Sequence, residues 1–197
     1  MNKNILIGVI TFIIIVILSI LMYYTTDQKQ EENELYINSY LNDLGYTYNE
    51  EENMYKKITT NNTLDDFYEL SSNKKEAYYQ EFYFSQESNS FIELNMAYNN
   101  DITEVFNINS DLTKQQITYN YEITKNDSSA ILEGSYNNNT FTCEIVSLKK
   151  LTDNNKEIYC ETIKKLANNF IKEENKLIDN DEFNRIINIP KKEVKIK

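Results

Sequence analysis

Cys143 and Cys160 are the two cysteines of the chain, and such a pair can serve four kinds of chemistry. It can form a disulfide, act as a redox couple, ligate a metal ion or remain as two buried thiols. A redox motif requires the C-x-x-C spacing, whereas these cysteines lie 17 positions apart. A metal site would need histidine or further cysteines, which the sequence lacks. A disulfide or two buried thiols therefore remain.

The chain contains no histidine, which removes the commonest general base of enzymes. Without histidine there is no Ser-His-Asp or Cys-His catalytic arrangement and none of the usual catalytic zinc sites. The three glycines form neither a G-x-x-x-x-G-K-[ST] phosphate loop nor a G-x-G-x-x-G nucleotide motif. We therefore predict no catalytic residues, no metal ligands and no cofactor.

Carboxylates are the remaining catalytic candidates, and several stand in adjacent pairs. A glycosidase needs two carboxylates facing one cleft at about 5–10 Å, an arrangement that the sequence alone does not reveal. We expect most of these groups to be surface charges. The pairs are Glu31–Glu32, Asp65–Asp66 and Glu173–Glu174.

The acidic run LIDNDEFNRI matches the first two ligand positions of an EF-hand calcium loop at Asp179 and Asp181. Phe183 stands at the third ligand position, and Asn184 replaces the turn glycine. Pro190 stands where the bidentate glutamate belongs. The sequence therefore does not predict a calcium site here.

Five tyrosines in predicted strands have two interpretations. Flat rings on an exposed sheet face could bind carbohydrate, but aromatic residues also form strands well, with the ring in the core and the hydroxyl at its edge. Packing is the favoured interpretation. The five are Tyr78, Tyr79, Tyr83, Tyr119 and Tyr121.

Most of the residues considered above lie in segments predicted as β-strands, in which successive side chains point to opposite faces of the sheet. A hairpin is predicted where YTY and MYKKI flank NEEEN, and a short helix at LDDFYEL. Six further runs of β-branched and aromatic residues follow at regular intervals with short polar turns, which predicts an antiparallel meander. The runs are AYYQEFYFSQ, SFIELNMAY, DITEVFNIN, QQITYNYEIT, SAILEGSY and TFTCEIVSL.

Two helices flank the predicted sheet. The first spans Gln28 to Leu44 and ends before Gly45, where a left-handed residue would close it. The second spans about Asn154 to Ile178, capped by Asp153 or Asn154. Its apolar stripe comprises Tyr159, Ile163, Leu166, Ala167, Phe170 and Ile171.

The second helix decides between the two remaining interpretations of the cysteines. Cys160 borders its apolar stripe, and Cys143 lies on the inward face of the last strand with Phe141 and Ile145. Because this helix is expected to pack on that face, we predict a Cys143–Cys160 disulfide. Closing the loop would stabilise the fold by about 3 kcal/mol in the chain-entropy model.

The N-terminal residues predict a membrane segment, since Ile5 to Met22 contains no charged side chain. As a helix this stretch rises about 27 Å, close to the thickness of the hydrocarbon core. A cleaved signal peptide needs a shorter apolar core followed by small residues, whereas bulky residues end this one. We predict an uncleaved anchor at residues 5–24, with Tyr23 and Tyr24 at the membrane interface.

The orientation follows from Lys3 and the α-amino group, which precede the anchor, while Lys29 is the only cation of the DQKQEENE segment that follows it. We predict a single-pass protein of the cell membrane with a cytoplasmic N-terminus and an extracytoplasmic C-terminal domain. The segments are residues 1–4 (cytoplasmic), 5–24 (anchor), 25–34 (juxtamembrane stalk), 35–184 (α+β domain) and 185–197 (basic tail).

The charge is distributed unevenly along the chain. The last thirteen residues hold five of the 20 cations and one of the 31 anions, and Lys3 is a sixth cation, so 14 cations face 30 anions elsewhere. A body this acidic argues against nucleic acid as a partner, because phosphate neutralisation supplies most of that affinity. The basic tail is either an ordinary solvated terminus or a contact with an anionic surface.

The predicted fold class is α+β. After the membrane helix comes one domain with an antiparallel meander of about six to eight strands, packed by an N-terminal and a C-terminal helix. A small closed barrel plugged by the helix is the alternative.

The missing catalytic groups favour a non-catalytic binding, assembly or sensory module of the cell envelope, with the membrane and another envelope protein as partners. The alternative is an envelope enzyme acting on wall polymer through carboxylates or tyrosine. A deep cleft with two facing carboxylates would favour the enzyme, and a flat apolar patch would favour a protein partner.

Overall fold

The computed structural model describes residues 3–59, 67–72, 77–137, 140–150 and 155–190, with side chains except those of residues 3–13, 71, 72 and 77. The chain forms two compact units, Met1–Tyr40 and Leu41–Lys197. The first unit is helical throughout its described part. The second contains an antiparallel sheet with helices.

One continuous helix, α1 (Lys3–Asp43), covers both the predicted anchor and the helix predicted from Gln28. Its large apolar side chains are exposed between Ile14 and Tyr24, where the described side chains begin, including Tyr23 (69 %) and Tyr24 (62 %). The Leu35 side chain, at the start of the predicted α+β domain, is 64 % exposed. Ile37 is the first buried residue among the described side chains of α1.

Within the described part of the chain, which includes α1 side chains only from Ile14, no helix is apolar enough over a sufficient length to cross a membrane. The predicted anchor at residues 5–24 and the segment 1–4 extend beyond those side chains. The anchor therefore stays a prediction.

The end of α1 lies where the sequence predicts it. Gly45 has a φ of +86°, a left-handed conformation that an L side chain rarely adopts. The Tyr46 N–H donates to the Leu41 carbonyl and the Gly45 N–H to the Asn42 carbonyl, both at 2.9 Å. These two bonds form a Schellman motif, which closes the helix and turns the chain into the sheet.

The sheet is an antiparallel meander of nine strands, one more than the upper predicted number. Neighbours in the sheet are neighbours in sequence from β1 to β8, and β9 pairs with β7. The described pairings leave the sheet open, so they do not form the alternative closed barrel. The strands are β1 Thr47–Asn49, β2 Met54–Thr59, β3 Ala77–Ser85, β4 Ser90–Tyr98, β5 Ile102–Asp111, β6 Gln116–Lys125, β7 Ser128–Asn137, β8 Thr140–Phe141 and β9 Glu144–Lys149.

The extra strand arises because the predicted run TFTCEIVSL is interrupted after β8. The Thr142 carbonyl accepts a hydrogen bond from the Tyr119 hydroxyl, and the Thr142 Oγ1 accepts one from the Ser135 N–H at 2.8 Å. Tyr119 reaches Thr142 across Gly134, its cross-strand partner in β7. A side chain from a distant strand thus divides what local periodicity predicts as one strand.

The second predicted helix is α3 (Lys156–Ile178), and its predicted apolar stripe faces the sheet. The Phe170 ring stacks on Phe91 of β4 at 5.0 Å between centroids, and the Tyr159 ring lies 6.2 Å from Tyr121 of β6. Asn155 is the observed N-cap, without a side-chain cap bond, and the predicted caps Asp153 and Asn154 lie outside the described residues. This packing confirms the α+β arrangement of a meander with flanking helices.

Two short helices complete the fold. The first, α2 (Tyr68–Ser72), is held by Glu104 of β5, whose Oε1 accepts the Glu69 N–H at 2.8 Å. The second, α4 (Asp181–Ile186), starts at Asn180, whose side chain accepts the Phe183 N–H. The Phe183 ring is fully buried 5.4 Å from Phe84. The helix extends into the segment predicted as the basic tail from residue 185, whose residues 191–197 lie outside the described part.

Candidate functional site

A cavity of about 560 Å³ lies between the inner face of strands β2–β4 and helix α3. It is the candidate functional site because buried polar side chains form its floor and charged side chains surround it. Its lining residues are Lys57, Thr59, Phe67, Tyr78, Gln80, Phe82, Glu93, Asn95, Leu166, Asn169, Lys172, Glu173 and Lys176.

The cavity exists because polar residues occupy core-facing positions in three neighbouring strands. Gln80 of β3 pairs directly with Thr59 of β2 and with Asn95 of β4, so their side chains lie side by side on one face. Glu93 lies on the same face, two residues before Asn95, and is 2 % exposed. On the same face elsewhere, large apolar residues such as Phe84 and Phe91 are buried in the core.

The floor is a fixed hydrogen-bond network. Gln80 Nε2 and Asn95 Nδ2 both donate to Glu93 Oε1 at 2.6 Å. The Tyr78 hydroxyl donates to Asn95 Oδ1 at 2.7 Å, which orients the Asn95 amide. Burying a carboxylate is costly without such donors, so the network stabilises Glu93 in place before any ligand arrives.

The helix side of the cavity presents cations and one carboxylate. Glu173 lies 3.6 Å from Lys57 Nζ of β2 and also forms an ion pair with Lys176, one turn along α3. Lys172 Nζ lies 3.4 Å from Asn169 Oδ1. Lys57 and Glu173 are each 24 % exposed, so their pairing is less screened by water than a fully exposed pair.

Aromatic rings form the remaining wall. Phe67 and Tyr78 meet edge to face with centroids 6.3 Å apart, and Phe82 stacks on Phe91 at 5.9 Å. Such rings present flat apolar surface beside the polar floor. The combined lining can hold a small molecule that has both an apolar face and several hydrogen-bonding groups.

Two carboxylates, Glu93 and Glu173, line this one cavity. Most of the paired carboxylates were expected to be surface charges: Glu31 and Glu32 are exposed, Asp65 and Asp66 lie outside the described residues, and the pair Glu173–Glu174 is an exception. Glu173 is partly buried, and Glu174 is 3 % exposed, with its Oε1 accepting the Ser110 hydroxyl of β5. Among the described residues no three of His, Cys, Asp and Glu lie close enough together to hold a metal ion.

The five tyrosines divide between the two sheet faces. Tyr119 and Tyr121 are buried in the core, as the packing interpretation predicts, and Tyr78 lines the cavity. Tyr79 and Tyr83 lie on the opposite face, where both hydroxyls donate to the Glu81 carboxylate. They surround a charged group, and the Lys56 ammonium lies 5.1 Å from the centroid of the Tyr83 ring.

Glu81 is 2 % exposed although it lies on the outer face of the sheet. Burial alone would raise the pKa of this carboxyl, but hydrogen bonds from Lys56, Tyr79 and Tyr83 outweigh burial and hold the pKa below 4.5. Burial and the hydrogen bond to Glu81 raise the pKa of Tyr83 to about 12. The cluster is a charged group fixed by its neighbours, away from the cavity lining.

The predicted disulfide is present and joins Cys143 to Cys160 with a Cα–Cα distance of 5.9 Å. It connects the turn between β8 and β9 to the second turn of α3, as the packing of helix on sheet predicts. Tyr23 and Tyr24 are exposed, with ring centroids 6.2 Å apart, and their predicted place at a membrane interface stays a prediction.

Sequence reasoning missed the cavity, although a signal was present. On the buried face of β4 the alternation Phe91, Glu93, Asn95, Ala97 places two polar residues where apolar ones are expected. Two successive polar residues on the buried face of one strand indicate either a buried hydrogen-bond network or a cavity. The contribution of α3 could not be found in this way, because it depends on how the helix packs.

No family model, no curated protein and no solved structure matches this chain.

Proposed function

We propose that this chain is a single-pass membrane-anchored protein whose extracytoplasmic domain is a non-catalytic binding module of the cell envelope, with a small polar molecule as its ligand. The cavity between β2–β4 and α3 is the observation that carries this proposal. Its volume of about 560 Å³ is within the range of small-molecule sites. Ligand binding there would make the domain a sensory or assembly component.

Pre-organisation of the floor supports a binding role. Glu93 accepts hydrogen bonds from Gln80 and Asn95, and all three residues are less than 10 % exposed. Groups held in this way need little reordering when a ligand arrives, which reduces the entropic cost of binding.

The disulfide and the N-terminal sequence support the proposed location. Disulfides persist in oxidising compartments outside the cytoplasm, and Cys143–Cys160 joins the β8–β9 turn to α3. Ile5 to Met22 has the length and the absence of charge of a membrane anchor. Both features agree with a domain held outside the membrane.

A variant that fills the cavity tests the proposal. Asn169 lines the cavity, whereas its neighbour Asn168 is exposed and does not. Ligand-observed NMR on the full chain in detergent micelles, with neutral and charged sugars as probes, should detect binding that Asn169→Trp abolishes and Asn168→Trp preserves. Equal binding by both variants would place the ligand elsewhere and contradict the proposal.

An envelope hydrolase is the second candidate, because Glu93 and Glu173 line the same cavity. A glycosidase uses two carboxylates in one cleft as acid and as base or nucleophile. The binding role is preferred because both carboxylates are already engaged. Glu173 is paired with Lys57 and Lys176, and Glu93 accepts hydrogen bonds from two side-chain amides. Cleavage of wall glycans by the purified chain, abolished by both Glu93→Gln and Glu173→Gln, would establish the hydrolase instead.

A further inference from the structure

The charge of the cavity lining differs from that of the chain. The sequence carries 20 Lys and Arg against 31 Asp and Glu, a net charge of −11. The described lining instead contains three lysines, Lys57, Lys172 and Lys176, and two glutamates. The lining therefore has more cations than anions, whereas the chain as a whole is acidic, and this difference favours an anion at the cavity.

Lys57 is the least expected of the three lysines. It follows Tyr55 by two residues on the core-facing side of β2, and its side chain is only 24 % exposed. An inward lysine on a strand near the sheet edge also discourages pairing with other chains, and this simpler role accounts for Lys57 alone. It does not account for Lys172 and Lys176, which reach the same cavity from α3.

Glu173 shows that this cluster can hold a carboxylate. It lies 3.6 Å from Lys57 Nζ and also pairs with Lys176, so one carboxylate bridges a strand lysine and a helix lysine. Each ammonium group has three N–H donors and can bind a second anion beside the first. Lys172 stands one residue before Glu173 in α3 and adds a third cation to the same lining.

We propose that the cavity binds a small polar molecule bearing a carboxylate or phosphate, with Lys57, Lys172 and Lys176 binding its anionic group and Gln80 and Asn95 facing its hydroxyl groups. The inference rests on the proposed binding function and adds the chemical class of the ligand. Charge-assisted bonds to an anion are about twice as strong as neutral ones, so the anionic group should dominate affinity.

Three probes that share one sugar ring separate the contributions. Glucuronate carries a carboxylate, glucose 6-phosphate a phosphate, and glucose neither. Titration of the full chain in detergent micelles at pH 7 should show the two anions binding about tenfold or more tightly than glucose. A preference between the two anions identifies which anionic group the lysines accept.

Charge-neutralising variants connect this preference to the cavity. Lys57→Gln and Lys172→Gln should each reduce the affinity for the preferred anion about tenfold and leave glucose binding unchanged. Lys165→Gln is the matched control, because Lys165 is an exposed lysine of α3 outside the lining, and it should change neither. Circular dichroism melting of every variant checks that the fold is retained.

The outcomes separate this inference from the function on which it rests. If the three probes bind equally and Asn169→Trp abolishes their binding, the cavity binds polar ligands and the anionic class is wrong. If the anions bind better but Lys165→Gln weakens them as much as Lys172→Gln does, the preference comes from general charge and the inference is also wrong. If no probe binds at up to about 10 mM, both proposals fail for this ligand class.

Discussion

Two buried glutamates, Glu81 on the outer face of β3 and Glu104 on the inner face of β5, have pKa values shifted in opposite directions. Glu81 receives hydrogen bonds from Lys56, Tyr79 and Tyr83, which hold its pKa below 4.5 despite burial. Glu104 is fully buried and accepts bonds from the Glu69 N–H and the Tyr121 hydroxyl, but burial prevails and raises its pKa above 4.5. The balance between burial and the hydrogen-bond donors, which for Glu81 include the Lys56 ammonium, decides the direction of each pKa shift.

Glu81→Gln should destabilise the fold by about 1–3 kcal/mol at pH 7, because it removes a carboxylate from three donors. The folded-state pKa of Glu81 is below its unfolded value. Its contribution is therefore complete above pH 4.5 and is lost as the pH falls through the folded pKa. Urea unfolding of the wild type and the variant at pH 7 and at pH 3–4 measures this. A stability difference that grows on acidification would contradict the prediction.

Glu104→Gln should show the opposite pH dependence. The folded-state pKa of Glu104 is raised, so its ionisation destabilises the fold as the pH rises above 4.5. A neutral glutamine removes that penalty and can still accept from Glu69 and Tyr121. Relative to the wild type, the variant should gain stability between pH 4.5 and pH 7 in the same urea experiment. A pH-independent difference would show that Glu104 does not titrate in this range.

At the scale of elements, α3 is attached to the sheet at both ends and in the middle. The disulfide holds its N-terminal part to the β8–β9 turn, the Phe91–Phe170 stack holds its centre, and Glu174 binds Ser110 of β5 near its C-terminal end. Because α3 also forms one wall of the cavity, these attachments fix the distance between the lysines of the helix and the floor on the sheet.

Removing the disulfide should cost about 3 kcal/mol, because the cross-link restricts the unfolded chain. The double variant Cys143→Ser, Cys160→Ser should unfold at lower urea concentration than the wild type and should not respond to dithiothreitol. The wild type should shift toward the double variant when reduced. Two alkylated cysteines in unreduced protein from cell envelopes would contradict the disulfide itself.

Gly134 marks a close approach between elements that determines the path of the last strands. A Cβ at this position would overlap the Thr142 carbonyl oxygen and the Tyr119 hydroxyl, and the backbone atom cannot move aside easily. Gly134→Ala should therefore destabilise the fold by about 2–4 kcal/mol in thermal or urea unfolding. Ser135→Ala, one residue on, is the control and should cost less than about 1 kcal/mol. Equal losses of stability in the two variants would mean that the sheet edge moves to accommodate the added methyl group, which would contradict the prediction.

At the scale of the whole molecule, membrane fractionation tests the proposed attachment by comparing the full chain with a truncated variant. The full chain should remain in carbonate-washed membranes, because Ile5 to Met22 carries no charge, and a variant lacking residues 1–24 should be soluble. Protease added to intact protoplasts should degrade the domain if it faces outward, whereas a cytoplasmic marker protein stays protected. A protected domain would contradict the proposed orientation and would make the disulfide unexpected in its compartment.

The local features of this protein followed from its sequence. Alternation of apolar and polar residues located the strands, the helical stripe located α3, and Gly45 located the end of α1, because each depends on backbone geometry over a few residues. The Cys143–Cys160 disulfide was also predictable, since both cysteines lie on faces that a helix packed on a sheet must bring together.

Tertiary structure alone decided the features that carry chemistry. The cavity depends on the register of β2–β4 and on where α3 rests, and Phe183, rejected as a calcium ligand, proved to be a core residue. Tyr119 divides the last strand from two strands away in the sheet, which no local pattern shows. Pairing partners, burial and charge environment are set by residues distant in sequence, so they become defined only when the chain has folded.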